Sequence, residues 1–440
     1  MSSLVVQPQR QPLLGSVPLP ADALQATVAL LIAAIATGES SLRARDAGPR
    51  TLAFVRVLSE LGVALDVSQD LVLVRGTGLR GLRAPGAELD LGRDRFAAAL
   101  LTGVLAGQGL AASVAVRGSA RGLARLFKHL VVRGAGLTPT PGFLGEVQRV
   151  AIGALSEQPL AGCDAQVEPP DAAIKAALLL AGLYTAHGTA VAEVVITADH
   201  VERMLSALDQ PIVSVGGLVT LAPRAREQEL PAFEQELPGD TSLGAYVLAA
   251  AALVPESRVM TRGIGLNPTR TGILDVMRHM GVQISVTPHG ERLGEPIGDV
   301  SVFAGRLTPC ALEGELRLRA HEELPVVCAL AACAEGPTLF AELEPLEPQR
   351  TDRLLAALAA FGVASERTSD GVVIHGAGAA PLGATSVDCQ AEPEVALLAT
   401  LLALRANGES RVRAADCIAE YYPRFVGTLR ALGAVIGVEA

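Results

Sequence analysis

The sequence predicts an α/β protein of two lobes, each assembled from three copies of one unit in which apolar helices are enclosed by sheets. Three observations lead there. Half of the 440 residues are hydrophobic but only 3% are aromatic, with no Trp, so the core is built from Ala, Val and Leu, which let helices pack closely on sheets. One pattern of elements recurs along the whole chain. A charged, proline-containing stretch then divides the copies three and three. The length agrees, since a chain of this size is too long for one ordinary core and splits into domains of roughly 200 residues.

Each copy opens with an apolar helix that ends at a small or polar break. A strand of alternating residues follows, then an amphipathic helix and a Gly turn into another strand. The copies begin near Ala29, Ala99, Ala177, Val247, Val326 and Ala396. Within each, the two breaks lie about 25 residues apart, a spacing typical of repeated supersecondary units. The opening helices are apolar almost all round and must be enclosed. The second helices have two faces: Leu52, Val55, Leu58 and Leu61 fall at helical spacing, with Arg56 and Glu60 opposite. The dividing stretch, Pro223 to Asp240, breaks helical and strand patterns alike. The 45 Gly and 27 Pro punctuate these short elements.

Charge and cysteine content narrow the function. A net charge of -10 and a pI near 5.3 argue against nucleic acid or an anionic membrane as partner, because either requires a basic face. The longest apolar run, Thr27 to Thr37, is far short of the ~20 residues of a membrane span, and the N-terminus lacks a charged-then-apolar signal pattern. Cys163, Cys310, Cys328, Cys333, Cys389 and Cys417 form no CxxC pair, which reads as small core residues in a reducing cytosol. The expected location is cytoplasmic, with no metal and no disulfide.

Several segments then resemble the EPSP synthase family along nearly the whole chain. The most specific is GIGLNPTRTGILDVMRHMG, Gly263 to Gly281. Close behind are IKAALLLAGLYTAHGTAVAE with ADHVERML, and LPGDTSLGAYVLAAAALVP; EELPVVCALAACAEG and RTDRLLAALAAFG add weaker support. The resemblance implies the enolpyruvyl transferase fold: an inside-out α/β barrel of six βαβαββ repeats, three per lobe, closing over substrates. It implies lobes of 20–238 and of 1–19 plus 239–440, and transfer of enolpyruvyl from phosphoenolpyruvate to shikimate 3-phosphate. No metal or organic cofactor is implied.

That reaction brings two phosphates and two carboxylates into one cleft, so several Lys and Arg must converge there, and acid–base groups must move protons. Carrying the family's motifs across position by position leaves most of these absent. The Lys and Arg of its first helix correspond to Ala23 and Val28, and its glycine turn facing phosphoenolpyruvate to Arg93–Phe96. Its SxQ segment corresponds to Asp171, Ala172 and Ala173, and a usual basic residue to Ala198. The catalytic Asp falls on Glu322, the KES segment on Gln349, Arg350 and Thr351, the DHR motif on Glu392, Pro393 and Glu394, and the late Lys on Glu420. Arg125, Arg353, Asp352, Glu323 and Arg121 are the candidate substrate-binding positions, Asp240 opens the fourth unit, and Glu322 is the candidate catalytic carboxylate.

Three functions follow. The first is a homologue that has lost or strongly altered the standard transfer, binding a less anionic ligand or a partner protein, and monomeric. The second is an active 3-phosphoshikimate 1-carboxyvinyltransferase whose cations come from Arg93, Arg95, Arg121 and Arg350. The third is a transferase of specialised metabolism with a neutral acceptor. Among other residues, Arg270 reads as a helix-start Arg bonding backbone carbonyls or as a ligand, and His200 and Arg203 as partners of Glu202 or solvent, or as ligands. His129 and Tyr246 read as packing.

Overall fold

The computed structural model describes residues 2–117, 121–139, 147–153, 160–225, 228–341 and 348–439. Its strands form six four-stranded sheets. All share one plan, visible in the sheet of Glu234–Glu236, Thr37–Arg43, Leu71–Thr77 and Ala64–Ser68, where the first pair is parallel and the next two are antiparallel. The same parallel, antiparallel, antiparallel order recurs from Cys163–Gln166 to Ile212–Val215 and from Ala311–Leu312 to Ala364–Thr368.

Six helices form the apolar layer: Ala23–Ala34, Arg95–Gln108, Ala172–Gly182, Thr241–Leu253, Leu324–Ala332 and Pro393–Leu404. In Thr241–Leu253 every residue is buried, as its Ala-rich sequence requires. Small residues let these helices touch backbone to backbone. A Cβ at Gly103 would sit 2.3 Å from the Ala177 carbonyl oxygen, so only glycine allows that approach of Arg95–Gln108 to Ala172–Gly182.

The chain divides into two compact units, each with its own core. One comprises residues 21–237 with 291–295, the other 1–20, 238–290 and 296–440. In the second, Ser3–Val6 inserts between Ser410–Arg413 and Ile436–Glu439, and Leu14–Pro18 pairs in parallel with Arg258–Gly265. The N-terminus thus completes two sheets that begin more than 200 residues later.

Two expectations need correction. The stretch from Pro223 to Asp240 contains a strand, Glu234–Glu236, beside Thr37–Arg43. An available sheet edge there outweighs the weak strand propensity of Glu and Gln. Residues 291–295 group with the 21–237 unit, adding crossings for which no local sequence signal exists.

Candidate functional site

In the 21–237 unit, the starts of the inner helices are closed by their own carboxylates. Asp22 accepts from the backbone N–H groups of Leu24 and Gln25, both at 2.9 Å. Asp94 accepts from Ala97 N at 3.0 Å, and Asp171 from Ala173 N at 3.1 Å and Ile174 N at 3.3 Å. Such caps satisfy backbone donors that a helix leaves unpaired and set negative charge against the positive end of its dipole. Val28 is fully buried in the core.

The arginines here are matched to the same acids. Arg95 Nη1 lies 2.9 Å from Asp171 Oδ2, and Arg50 Nη2 lies 3.2 Å from Asp94 Oδ1. Arg125 donates to the carbonyl of Pro169 and approaches Asp171 to 3.9 Å. Asp171 therefore caps one helix and balances two guanidinium groups. Arg121 opens the helix Arg121–Val131; its side chain lies outside the described residues.

The other unit repeats this economy. Arg350 forms a two-pronged pair with Glu394, Nε to Oε2 at 2.7 Å and Nη2 to Oε1 at 2.8 Å. It also meets His321 Nε2 at 3.2 Å and donates to the Glu322 carbonyl at 3.2 Å. Arg353 pairs with Glu392 at 3.0 Å, and Asp352 with Arg367. Asp240 caps Thr241–Leu253 through Leu243 N at 3.1 Å, while Glu323 and Glu392 occupy the cap positions of the next two inner helices. All six inner helices thus begin at an acidic residue. Glu420 is exposed on the short helix Ile418–Tyr421.

Glu322 is exposed, whereas its neighbour Glu323 is buried. Only 1% of it is exposed. Ser242 Oγ donates to it and accepts from Arg270 Nη2 at 2.7 Å. Burial pushes its carboxyl up to about 7, against the opposing pull of Arg270 and the Ser242 hydrogen bond. Arg270 thus bonds the Ser242 side chain, a link between residues 242 and 270 that no sequence spacing encodes.

A second buried network stands in the 21–237 unit. Lys175, 1% exposed, contacts Glu193 at 3.0 Å, Glu202 at 2.9 Å and the Thr197 carbonyl at 3.1 Å. His200 meets Glu295 at 2.6 Å and Arg203 pairs with Asp199 at 2.9 Å, so the expected pairing of either with Glu202 does not form. Glu202 is taken by Lys175 instead. The signal was present: one Lys in the otherwise apolar AIKAALLLAGL must find a buried anion. Tyr246 is buried, whereas His129 is partly exposed.

Among the described residues, no group of three or more His, Cys, Asp and Glu is arranged to hold a metal, and no helix is long and apolar enough to cross a membrane.

The family model for EPSP synthase (3-phosphoshikimate 1-carboxyvinyltransferase) matches residues 7–429. The chain belongs to the EPSP synthase family. A 3-phosphoshikimate 1-carboxyvinyltransferase of Geobacter sp. (strain M21) is 33% identical over 436 residues, covering 98% of this chain and 99% of the relative. One from Roseiflexus sp. (strain RS-1) is 34% identical, covering 94% and 96%. The crystal structure of EPSP synthase from Acinetobacter baumannii matches with a TM-score of 0.86 at 26% identity, over 100% of both chains. The enolpyruvyl transferase NikO from Streptomyces tendae matches at 0.75 and 18% identity, covering 100% and 99%, a likeness of fold. The six-repeat, two-lobed enolpyruvyl transferase architecture is thus this chain's own.

Proposed function

We propose that this family member has lost or strongly altered the standard transfer of enolpyruvyl to shikimate 3-phosphate, and that it binds a less anionic ligand or a partner protein. One observation supports the reading above others: Arg95, Arg125, Arg350 and Arg353 each lie beside a carboxylate of the chain itself. A phosphate arriving at these arginines must compete with Asp171, Glu394 or Glu392. With Arg95 43% and Arg353 41% exposed, each such pair is worth about 0.2–1 kcal/mol, so it is their combined number that opposes the anion. Acidic residues at the six helix starts oppose an incoming anion as well. The expected working form is a cytoplasmic monomer without cofactor.

Heat denaturation with shikimate 3-phosphate, then with phosphoenolpyruvate added, tests this. A ligand at 100 times its dissociation constant stabilises the folded protein by about 2.7 kcal/mol. No rise in melting temperature is expected, and a clear rise would refute the proposal. A second reading, residual transfer at a rebuilt site, draws on Glu323. A carboxyl near 7 beside Ser242 and Arg270 is suited to exchange protons at neutral pH. Turnover of both substrates that disappears in Glu323→Gln would favour this second reading.

A further inference from the structure

We propose that the edge strand Ile212–Val215, with the apolar sheet face beside it, is a docking surface for an extended segment of a partner protein that adds as a fifth strand. That segment is uncharged and β-branched along its length and carries Lys or Arg at the end nearest Asp209. The strand closes its sheet on one side. Gly216 at φ 57 and Gly217 at φ 83 join it to Leu218–Leu221 in a two-residue turn that requires two left-handed residues. Val215 with Leu218, and Val213 with Thr220, are then the hydrogen-bonded pairs, and Ile212 and Ser214 turn their backbone groups the other way. The Ile212 N–H is taken by the Gln210 carbonyl at 2.8 Å. The Ile212 carbonyl and both backbone groups of Ser214 face the open edge.

The strand differs from its counterparts in the repeat. At the same end of the other five sheets each strand carries a charge or a proline: Asp66 in Ala64–Ser68, Pro139 in Leu137–Pro139, Glu291 in Gln283–Arg292, Glu366 in Ala364–Thr368 and Glu439 in Ile436–Glu439. Such residues keep an edge from pairing with another chain. Ile212–Val215 has neither, and no charge occurs from Gln210 to Pro223. Its outer face is apolar as well. Val215 stands opposite Leu218, and Leu218 beside Ala192. Val194 continues the alternation past Ala192. Val194, Val213 and Val215 are 58–72% exposed, and Leu218 is exposed too.

Area and charge select the occupant. At roughly 100 Å² per apolar side chain, these four expose on the order of 250 Å², well short of the ~800 Å² that each partner buries in a standard interface. A second copy would also bring another net charge of -10, which opposes self-association. An added strand needs less area, because backbone hydrogen bonds supply its affinity and side chains on the covered face its specificity. Asp209, exposed just before the strand, favours a basic residue at the end of that segment. None of these residues belongs to the arginine–carboxylate pairs described above, so the proposal does not rest on the fate of the transfer reaction.

The test is fluorescence anisotropy of a labelled peptide, KVTVTVTK, with the full chain. Saturable binding is expected. It should weaken at least about tenfold in Ser214→Pro, which removes an edge N–H pointing away from the ladder, and in Val213→Lys, which charges the edge. A proline at the centre of the peptide should weaken it as much, and Glu at both peptide ends about threefold. Circular dichroism melts establish that each variant is folded, and Val213→Lys carries the test if Ser214→Pro is not. No saturable binding below about 1 mM overturns the proposal, as does binding unchanged in the folded variants or indifferent to the charge of the peptide ends. Light scattering that shows a wild-type dimer dissociated by Val213→Lys would give the surface to a second copy and overturn it too.

Discussion

Replacing Lys175 with Met tests the buried network most directly. The wild-type site holds one ammonium against Glu193 and Glu202, all three side chains at most 5% exposed. Burial opposes a charged Lys175, but Glu202 and Glu193 outweigh it and hold its proton more firmly than usual. Burial likewise pushes Glu202 up despite the neighbouring ammonium. Met fills the same volume and removes the cation, leaving two carboxylates close together in the core. Breaking a buried pair in this way costs about 3–5 kcal/mol. In a unit of this size each kcal/mol lowers the melting temperature by roughly 2–4 °C, so a fall of roughly 6–20 °C is expected at pH 7.5. The sign of the pH dependence follows from Glu202. Its folded state holds a proton more tightly than the unfolded chain does, so its contribution is full below the unfolded value near ~4.3 and is lost as pH rises through the folded one. Acidification should therefore shrink the deficit of Lys175→Met. With no Trp in the chain, far-ultraviolet circular dichroism at pH 7.5 and 5.5 is the assay. A deficit below about 1 kcal/mol at pH 7.5, against the 3–5 expected, or one that does not narrow on acidification, would refute the reasoning.

Three further outcomes are expected. Glu323, raised from 4.5 to about 7, contributes stability that is full below 4.5 and declines to pH 7. Glu323→Gln should abolish that slope, worth about 3 kcal/mol, in urea titrations across the range. The double substitution Glu392→Gln and Glu394→Gln removes the carboxylate charge beside Arg353 and Arg350. Inorganic phosphate should then bind about tenfold more tightly or better by isothermal titration, and unchanged binding would show that those pairs do not mask an anion site. Gly103→Ala drives a Cβ against the Ala177 carbonyl, and should cost about 1–3 kcal/mol through overpacking, read from the urea midpoint.

The sequence alone determined the repeat. Six apolar helices of Ala, Val and Leu cannot meet water, and their spacing, with the break after Pro223, fixes six units in two lobes because burial is encoded locally in composition and period. Motifs such as Asn267–Gly272 were enough for the family. What the acids pair with was decided by tertiary structure. Asp171 serves Arg95, 76 residues away, Arg350 meets Glu394 across 44 residues, and Glu323 acquires its proton affinity from burial beside Ser242, 81 residues distant. Charge pairing depends on distance and desolvation, and neither exists until the chain has folded.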